Sequence, residues 1–342
     1  MSDFARQFIR LKWRPLLGGV VALGMSAWLL KSYGIRRIAD LIGHAGWFGI
    51  LGVVAFHGTQ VLCSALGWRV IAGRAAPREP LRTYFVLRWI REAVNNLLPF
   101  AQIGGEVVAW RLLRQRGAKL ATAVAGMVAD LSLEMVTQVV FTLVGIALLM
   151  LSGENSGIAA AFIVGLLGAS VLMVALFASL RLGMAEFIER ALLRLGRWMG
   201  WAGAAHVEGL NRALLGCYRQ PGRVAQSGLW HMLSWLLGGV EVCLALHFLG
   251  SDVPIAAGLV IESLGQAAKA AGFAVPGALG IQEGGYIIVC GAFGLSPELA
   301  IALSLVKRLR EAVLGIPALI VWQHFETNVR ATANDSITGF AP

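Results

Sequence analysis

The 342-residue chain is 57% apolar and only 14% charged, with a mean hydropathy of +0.71 and a formal charge of +10. This balance excludes a soluble enzyme built on one large core and places the chain among polytopic membrane proteins. The basic residues flank apolar runs and form no continuous stripe, so they argue for a positive-inside bias and against nucleic-acid binding.

A hydrocarbon core about 30 Å thick takes about 20 helical residues to cross. Stretches of that kind lie at 15–33, 46–72, 120–151, 157–180, 226–250 and 297–325. Arg6, Arg10, Lys12 and Arg14 precede the first, which has no small-x-small cleavage site after it and is interrupted by Lys31. It therefore reads as a retained helix with a cytoplasmic N-terminus in a bacterial inner membrane. The arginine-rich loop between Arg181 and Arg223 belongs on the same side, while the linkers around Glu154 and Asp252 carry no Lys or Arg. Lys31, Arg36 and Arg37 at the first external turn oppose this orientation.

Within 182–224, Arg190, Arg194 and Arg197 share one helical face, and Ile188, Leu192, Leu195 and Met199 another. The pattern fits cytoplasmic helices lying in the interface, and equally a solvated loop helix. Cys63, Cys217, Cys243 and Cys290 form no CxxC pair and read as buried thiols with no disulfide or metal role.

Two intervals do not read as simple spans. Residues 77–118 are broken by "LLPFAQIGGE" and residues 254–295 by "VPGALGIQEGG". Superposing Pro99 on Pro276 puts Glu106 on Glu283, each seven residues after its proline and beside a glycine pair. Proline removes a backbone donor, and glycine frees the chain to bend. At membrane depth, such breaks persist only where protein or a water-filled cavity satisfies the backbone. The two intervals thus predict re-entrant hairpins around a shared polar interior, with interfacial loops as the alternative. Because they would enter from opposite faces, they also predict an inverted repeat. The expected architecture is a single all-α membrane domain over 1–342, with about six spans and two hairpins.

A charge at the bilayer centre costs about 2.5–3.5 kcal/mol on insertion scales, so intramembrane ionisable residues are functional candidates. Asp130 and Glu134 lie four apart on one face of the third span, Glu241 sits in the fifth, and Lys269 precedes Pro276. The densest group, "KRLRE", spans Lys307 to Glu311 in the last span. Its cations Lys307, Arg308 and Arg310 outnumber Glu311, leaving excess positive charge for Glu283, Glu241, Asp130 or Glu134 to neutralise. Two readings stay open: a structural ion network, or a basic site for an anionic headgroup, whose phosphate matches the guanidinium fork.

Motifs for enzymes are missing from the sequence. The histidines form no HxxxH or HExxH pair, and there is no GxSxG elbow, P-loop or aspartate-rich magnesium cluster. Neither enzymatic activity nor a cofactor or metal is expected.

The segments "NNLLPFAQIGGEVVAWRLL", "AVAGMVADLSLEMV" and "AVPGALGIQEGGYIIVCGAFGLSPELAIALSLVKRLREAVLG" resemble the membrane domain of lysylphosphatidylglycerol synthases and their stand-alone relatives. The resemblance covers nearly the whole chain, although its motifs are short. It carries over Pro99, Gly105, Glu106 and Arg111, with Asp130 or Glu134 as acidic partner, and then Pro276, Gly277, Gly280, Glu283 and Arg308. The chain departs from the pattern in having "FAQIGGE" where a basic residue usually precedes Gly-Glu, and in crowding three cations near Arg308. The ending "SLVKRLREAVLGIPAL" looks most like a hopanoid-associated branch. The resemblance implies a translocase that moves or handles a polar or anionic lipid, without the soluble domain that performs aminoacyl transfer. A scaffold for lipid-biosynthesis enzymes and a membrane transferase of unrecognised chemistry are the alternatives. Membrane lipids are the expected substrate, and a homo-oligomer is compatible with the sequence.

Overall fold

The computed structural model describes residues 35–73, 79–98, 104–152, 209–272, 278 and 280–338. The predicted spans 15–33 and 157–180, residues 182–208, and Pro99, Pro276 and Gly277 lie outside them. The described residues are all helical or in connecting turns, with no strand among them. In chain order the helices are α1 (Ile35–Ala72), α2 (Leu81–Leu97), α3 (Gly104–Gln115), α4 (Leu120–Leu151), α5 (Leu210–Tyr218), α6 (Pro221–Phe248), α7 (Ile255–Ala271), α8 (Ile281–Ala292) and α9 (Pro297–Thr338).

Three of these, α1 from Ile38, α4 and α6, are long and apolar enough to cross a membrane. The ends of α4 coincide with the expected span. Helix α1 starts earlier than residue 46 because two helices join across a kink at Gly46, whose φ of 60° suits glycine. Helix α6 starts at Pro221, within the interval assigned to interfacial helices. Proline is well placed at the first helical position, where its missing N–H has no partner to lose. Helix α9 runs well past residue 325 and carries Pro317 inside it.

Helices α1 and α6 pack antiparallel along their length. Phe248 lies against Gly49 and Gly52, Glu241 meets Gln60, Ser234 meets Ser64, and His231 lies beside Gly67. The short pairs α2/α3 and α7/α8 are each antiparallel too: Asn95 meets Gly105, and Ala268 lies opposite Gly285. Helix α2 also packs on α9, and α7 on α4. Trp89 of α2 donates from Nε1 to the Leu314 carbonyl of α9 at 2.9 Å, close to Pro317.

The apolar interior falls into two clusters. One gathers Val53, Ile146, Val242, Leu264, Tyr286 and Leu303; the other gathers Trp68, Ile90, Leu113, Ala129, Leu133 and Ala318. Each of α1, α4, α6 and α9 runs from one cluster to the other, and His57, Glu134, His231 and Arg310 fall on the stretch between. The outer faces remain apolar: on α9, Leu309, Val313, Ile316 and Ile320 form an exposed stripe at helical spacing. Apolar surface outside and charge inside is the distribution a lipid-facing protein requires.

Candidate functional site

Between the two clusters lies a polar cavity of about 190 Å³. Helix α1 contributes His57, Gln60 and Ser64 to it; α2 contributes Arg88, Arg91, Glu92, Asn95 and Asn96; α4 contributes Glu134. On the other side stand His231, Ser234 and Trp235 of α6, Glu262, Gln266 and Lys269 of α7, and Arg310 and Glu311 of α9. The last turns of α2 and α7, which lead into the two sequence breaks, meet there. Lys269 Nζ donates to Asn96 Oδ1 at 3.2 Å and to Glu311 Oε1 at 2.8 Å.

On one side, Arg91 uses its whole guanidinium fork. Nε donates to Glu106 Oε1 at 2.9 Å, Nη1 to Asp130 Oδ2 at 2.6 Å and Nη2 to Glu134 Oε2 at 2.6 Å. Arg88 holds Glu134 bidentately at 2.8 and 2.5 Å, and His231 Nε2 lies 3.0 Å from Asp130 Oδ1. Planar guanidinium suits such multiple carboxylate contacts in a way that an ammonium cannot match. Asn95 completes the joint by receiving the Gly105 N–H at 2.8 Å and donating to Glu106 Oε1 at 3.1 Å. A side chain at Gly105 would run into the Arg91 carbonyl, so glycine is needed for α3 to reach α2.

On the other side, Lys307 pairs with Glu262 and Arg310 with Glu241. Glu241 also accepts from Gln60 at 2.5 Å and contacts His57 Nδ1 at 2.9 Å, while His57 Nε2 lies 2.7 Å from Glu92 Oε1. Glu283, the third residue of α8, is held separately. One oxygen accepts the Gly280 N–H at 2.6 Å; the other accepts from Arg308 Nε at 2.7 Å and Ser304 at 3.2 Å. Gly280 has a φ of 82°, a conformation that glycine adopts without strain.

These contacts redistribute the roles expected from sequence. Asp130 and Glu134 both contact Arg91, so the two candidate acidic partners share one cation. Arg111 is exposed on α3 and does not line the cavity. Glu106 braces α3 against α2, and Glu283 braces α8 against α9; neither lines the cavity. The excess positive charge expected around "KRLRE" is balanced, because each of its three cations has a carboxylate: Glu262, Glu283 and Glu241.

Sequence reasoning missed Glu262, Glu92, Arg88, Arg91, His57 and His231. A signal for the first four was present. Glu262, Gln266 and Lys269 recur at helical spacing within an apolar segment, and Arg88, Arg91, Glu92 and Asn95 do so in a mixed one. The histidines stand singly in apolar runs and gave no such pattern.

Among the described residues, no cluster of His, Cys, Asp and Glu is arranged to hold a metal ion. The four cysteines are free. On α5, apart from the long apolar helices, burial pushes the Cys217 thiol above its ordinary range and keeps it protonated.

The family model for the lysylphosphatidylglycerol synthase TM region matches residues 16–318, almost the whole chain. The chain belongs to this family. It is a membrane protein related to lipid handling. No curated protein and no solved structure matches it.

Proposed function

We propose that this member of the lysylphosphatidylglycerol synthase TM family is a flippase-like translocase for a polar or anionic lipid in the bacterial inner membrane. The observation that carries the proposal is the charge-lined cavity between two apolar clusters, inside helices whose outer faces are apolar. Such a site lets a headgroup cross in polar surroundings while its acyl or polycyclic tail stays in lipid. Hopanoid-related lipids are among the candidate substrates.

Two features support an inverted-repeat arrangement with re-entrant hairpins. Helices α3 and α8 have 12 residues each with glutamate in third position, and each is too short to cross a hydrocarbon core of about 30 Å. The α2–α3–α4 and α7–α8–α9 units also exchange partners, α2 lying on α9 and α7 on α4. Alternating access about such a repeat would open the cavity to each face in turn. The N-terminus is cytoplasmic in this reading.

The carboxylates Glu134, Glu262 and Glu311 already engage the cavity's cations. An arriving headgroup must therefore displace an existing ion pair, which favours groups with strong phosphate or amine contacts. The same pairing also suits a static accessory protein that holds lipid-biosynthesis enzymes or a second copy of the chain. The proposal assigns no catalysis.

The test is a leaflet assay in reconstituted vesicles containing headgroup-labelled phosphatidylglycerol or a labelled polar hopanoid. Protein-dependent movement of a labelled lipid is expected. Correctly folded protein that moves none of the probes would favour the accessory role.

A further inference from the structure

His57 is placed unlike any other histidine among the described residues: both ring nitrogens face carboxylates at hydrogen-bond distance. Nδ1 lies 2.9 Å from Glu241 Oε2, and Nε2 lies 2.7 Å from Glu92 Oε1. A neutral imidazole has one N–H and one lone pair, so it can donate to only one of them. Two ionised carboxylates against a neutral ring would set a lone pair against an anion in a site where His57 is buried.

The surroundings identify which contact holds the additional proton. Glu241 Oε1 accepts from Arg310 and Oε2 accepts from Gln60, so both its oxygens already act as acceptors. Nδ1 must therefore be the donor to Glu241. The Nε2–Oε1 contact with Glu92 then needs a proton of its own, on the ring as imidazolium or on Glu92 as a carboxylic acid.

The charged groups facing this part of the cavity are Arg88, Arg91 and Glu92 of α2, Glu134 of α4, Glu241 of α6, Glu262 and Lys269 of α7, and Lys307, Arg310 and Glu311 of α9. The proton follows from the contact itself: without it, a ring lone pair faces a carboxylate at 2.7 Å. Uncompensated charge in a low-dielectric interior is costly enough that such a group takes up a proton instead.

We propose that Glu92, His57 and Glu241 form a proton-binding site that holds one exchangeable proton between His57 and Glu92. Glu92 lines the cavity and its side chain keeps 25% exposure, whereas Glu241 is sealed at 1%, so exchange occurs on the Glu92 side. Loss of the proton turns the link from attractive to repulsive and releases Glu92 toward the cavity. There it can meet a cationic group of an entering headgroup, or an ammonium from Lys269. The site rests on hydrogen-bond geometry; its use in driving lipid movement rests on the translocase reading above.

The test is magnetic resonance on full-length protein in lipid nanodiscs, with nitrogen-15 histidine and carbon-13 glutamate, titrated from acid to alkaline pH. Signals of His57 and Glu92 are assigned by their loss in His57→Gln and Glu92→Gln. The parent at neutral pH is expected to show His57 doubly protonated, or a protonated Glu92 carboxyl. In Glu92→Gln, the amide can donate to Nε2, so His57 is expected to be neutral at that pH. A neutral His57 beside an ionised Glu92 in the parent would overturn the proposal, as would a ring that stays doubly protonated in Glu92→Gln. Both readouts are independent of lipid movement, so failure of the leaflet assay would refute translocation and leave this result standing.

Discussion

Replacing Arg91 by glutamine removes the one cation shared by Glu106, Asp130 and Glu134. Its side chain is 4% exposed and Asp130 is fully buried, so water cannot take over the lost charge. Removing one partner of a buried ion pair typically costs about 3–5 kcal/mol, most of it the cost of the unpaired charge left behind. Here each carboxylate keeps some support: Glu134 keeps Arg88, Asp130 keeps His231 and Glu106 keeps Asn95. The lower end, about 3 kcal/mol, is therefore expected. In a chain of this size that corresponds to a fall of about 4 °C in Tm, measured by thermal unfolding in detergent. Adding Asp130→Asn removes the stranded anion, so the double variant should be about 1–3 kcal/mol more stable than the sum of the singles. A fall in Tm below about 2 °C for Arg91→Gln, or strict additivity in the cycle, would refute the three-carboxylate arrangement.

Two further substitutions probe the packing. Glu283→Gln removes the charge facing Arg308 and weakens the hold on the Gly280 N–H; faster hydrogen exchange in the first turn of α8 is expected, together with slower lipid movement in vesicles. Unchanged exchange there would deny Glu283 its bracing role. Gly258→Val would bring a Cβ to 2.7 Å from the Gly239 carbonyl, and overpacking of this kind costs about 1–3 kcal/mol, so a lower Tm is expected. Gly284→Ala, which meets open space, is the control and should leave Tm near that of the parent.

The parts of this fold that sequence revealed were those carried by hydrophobic length. The run of α4 is bounded by "RQRGAK" before it and "SGENSG" after it, and both its ends could be read directly. The charges in α9 were equally plain, because the four ionic residues in "LVKRLRE" cannot all face lipid. The pairing was not readable. Glu262 and Glu92 sit in short segments whose apolar content is interrupted only at helical spacing, and their partners come from helices far away in sequence. Lys307 meets Glu262 across 45 residues, and Arg310 meets Glu241 across 69. Glu241 and Glu283 were already set against the "KRLRE" cations; Glu262, the partner of Lys307, was the carboxylate missing from that count. His57 was hidden for a different reason: its significance lies in touching two carboxylates at once, and one of them is 184 residues away.

Recognition of Glu106 and Glu283 came from their matched distance to a proline, and both do occupy the third position of a short helix. Their contacts nevertheless differ. Glu106 turns back to α2, the preceding helix of its own unit, whereas Glu283 turns forward to α9. The sequence match therefore paired two glutamates that share a position in their short helices and left open which neighbour each would bind.

The most direct measurement of the central claim compares parent protein and Gln266→Trp in the same vesicles, following a headgroup-labelled lipid from one leaflet to the other. Gln266 lines the cavity, and a larger side chain there obstructs it without touching the outer apolar faces. The account predicts that the parent moves lipid faster than protein-free vesicles, and that the variant, folded with a parent-like Tm, falls back towards the protein-free rate. Equal rates for parent and obstructed variant would contradict passage of the headgroup through this cavity.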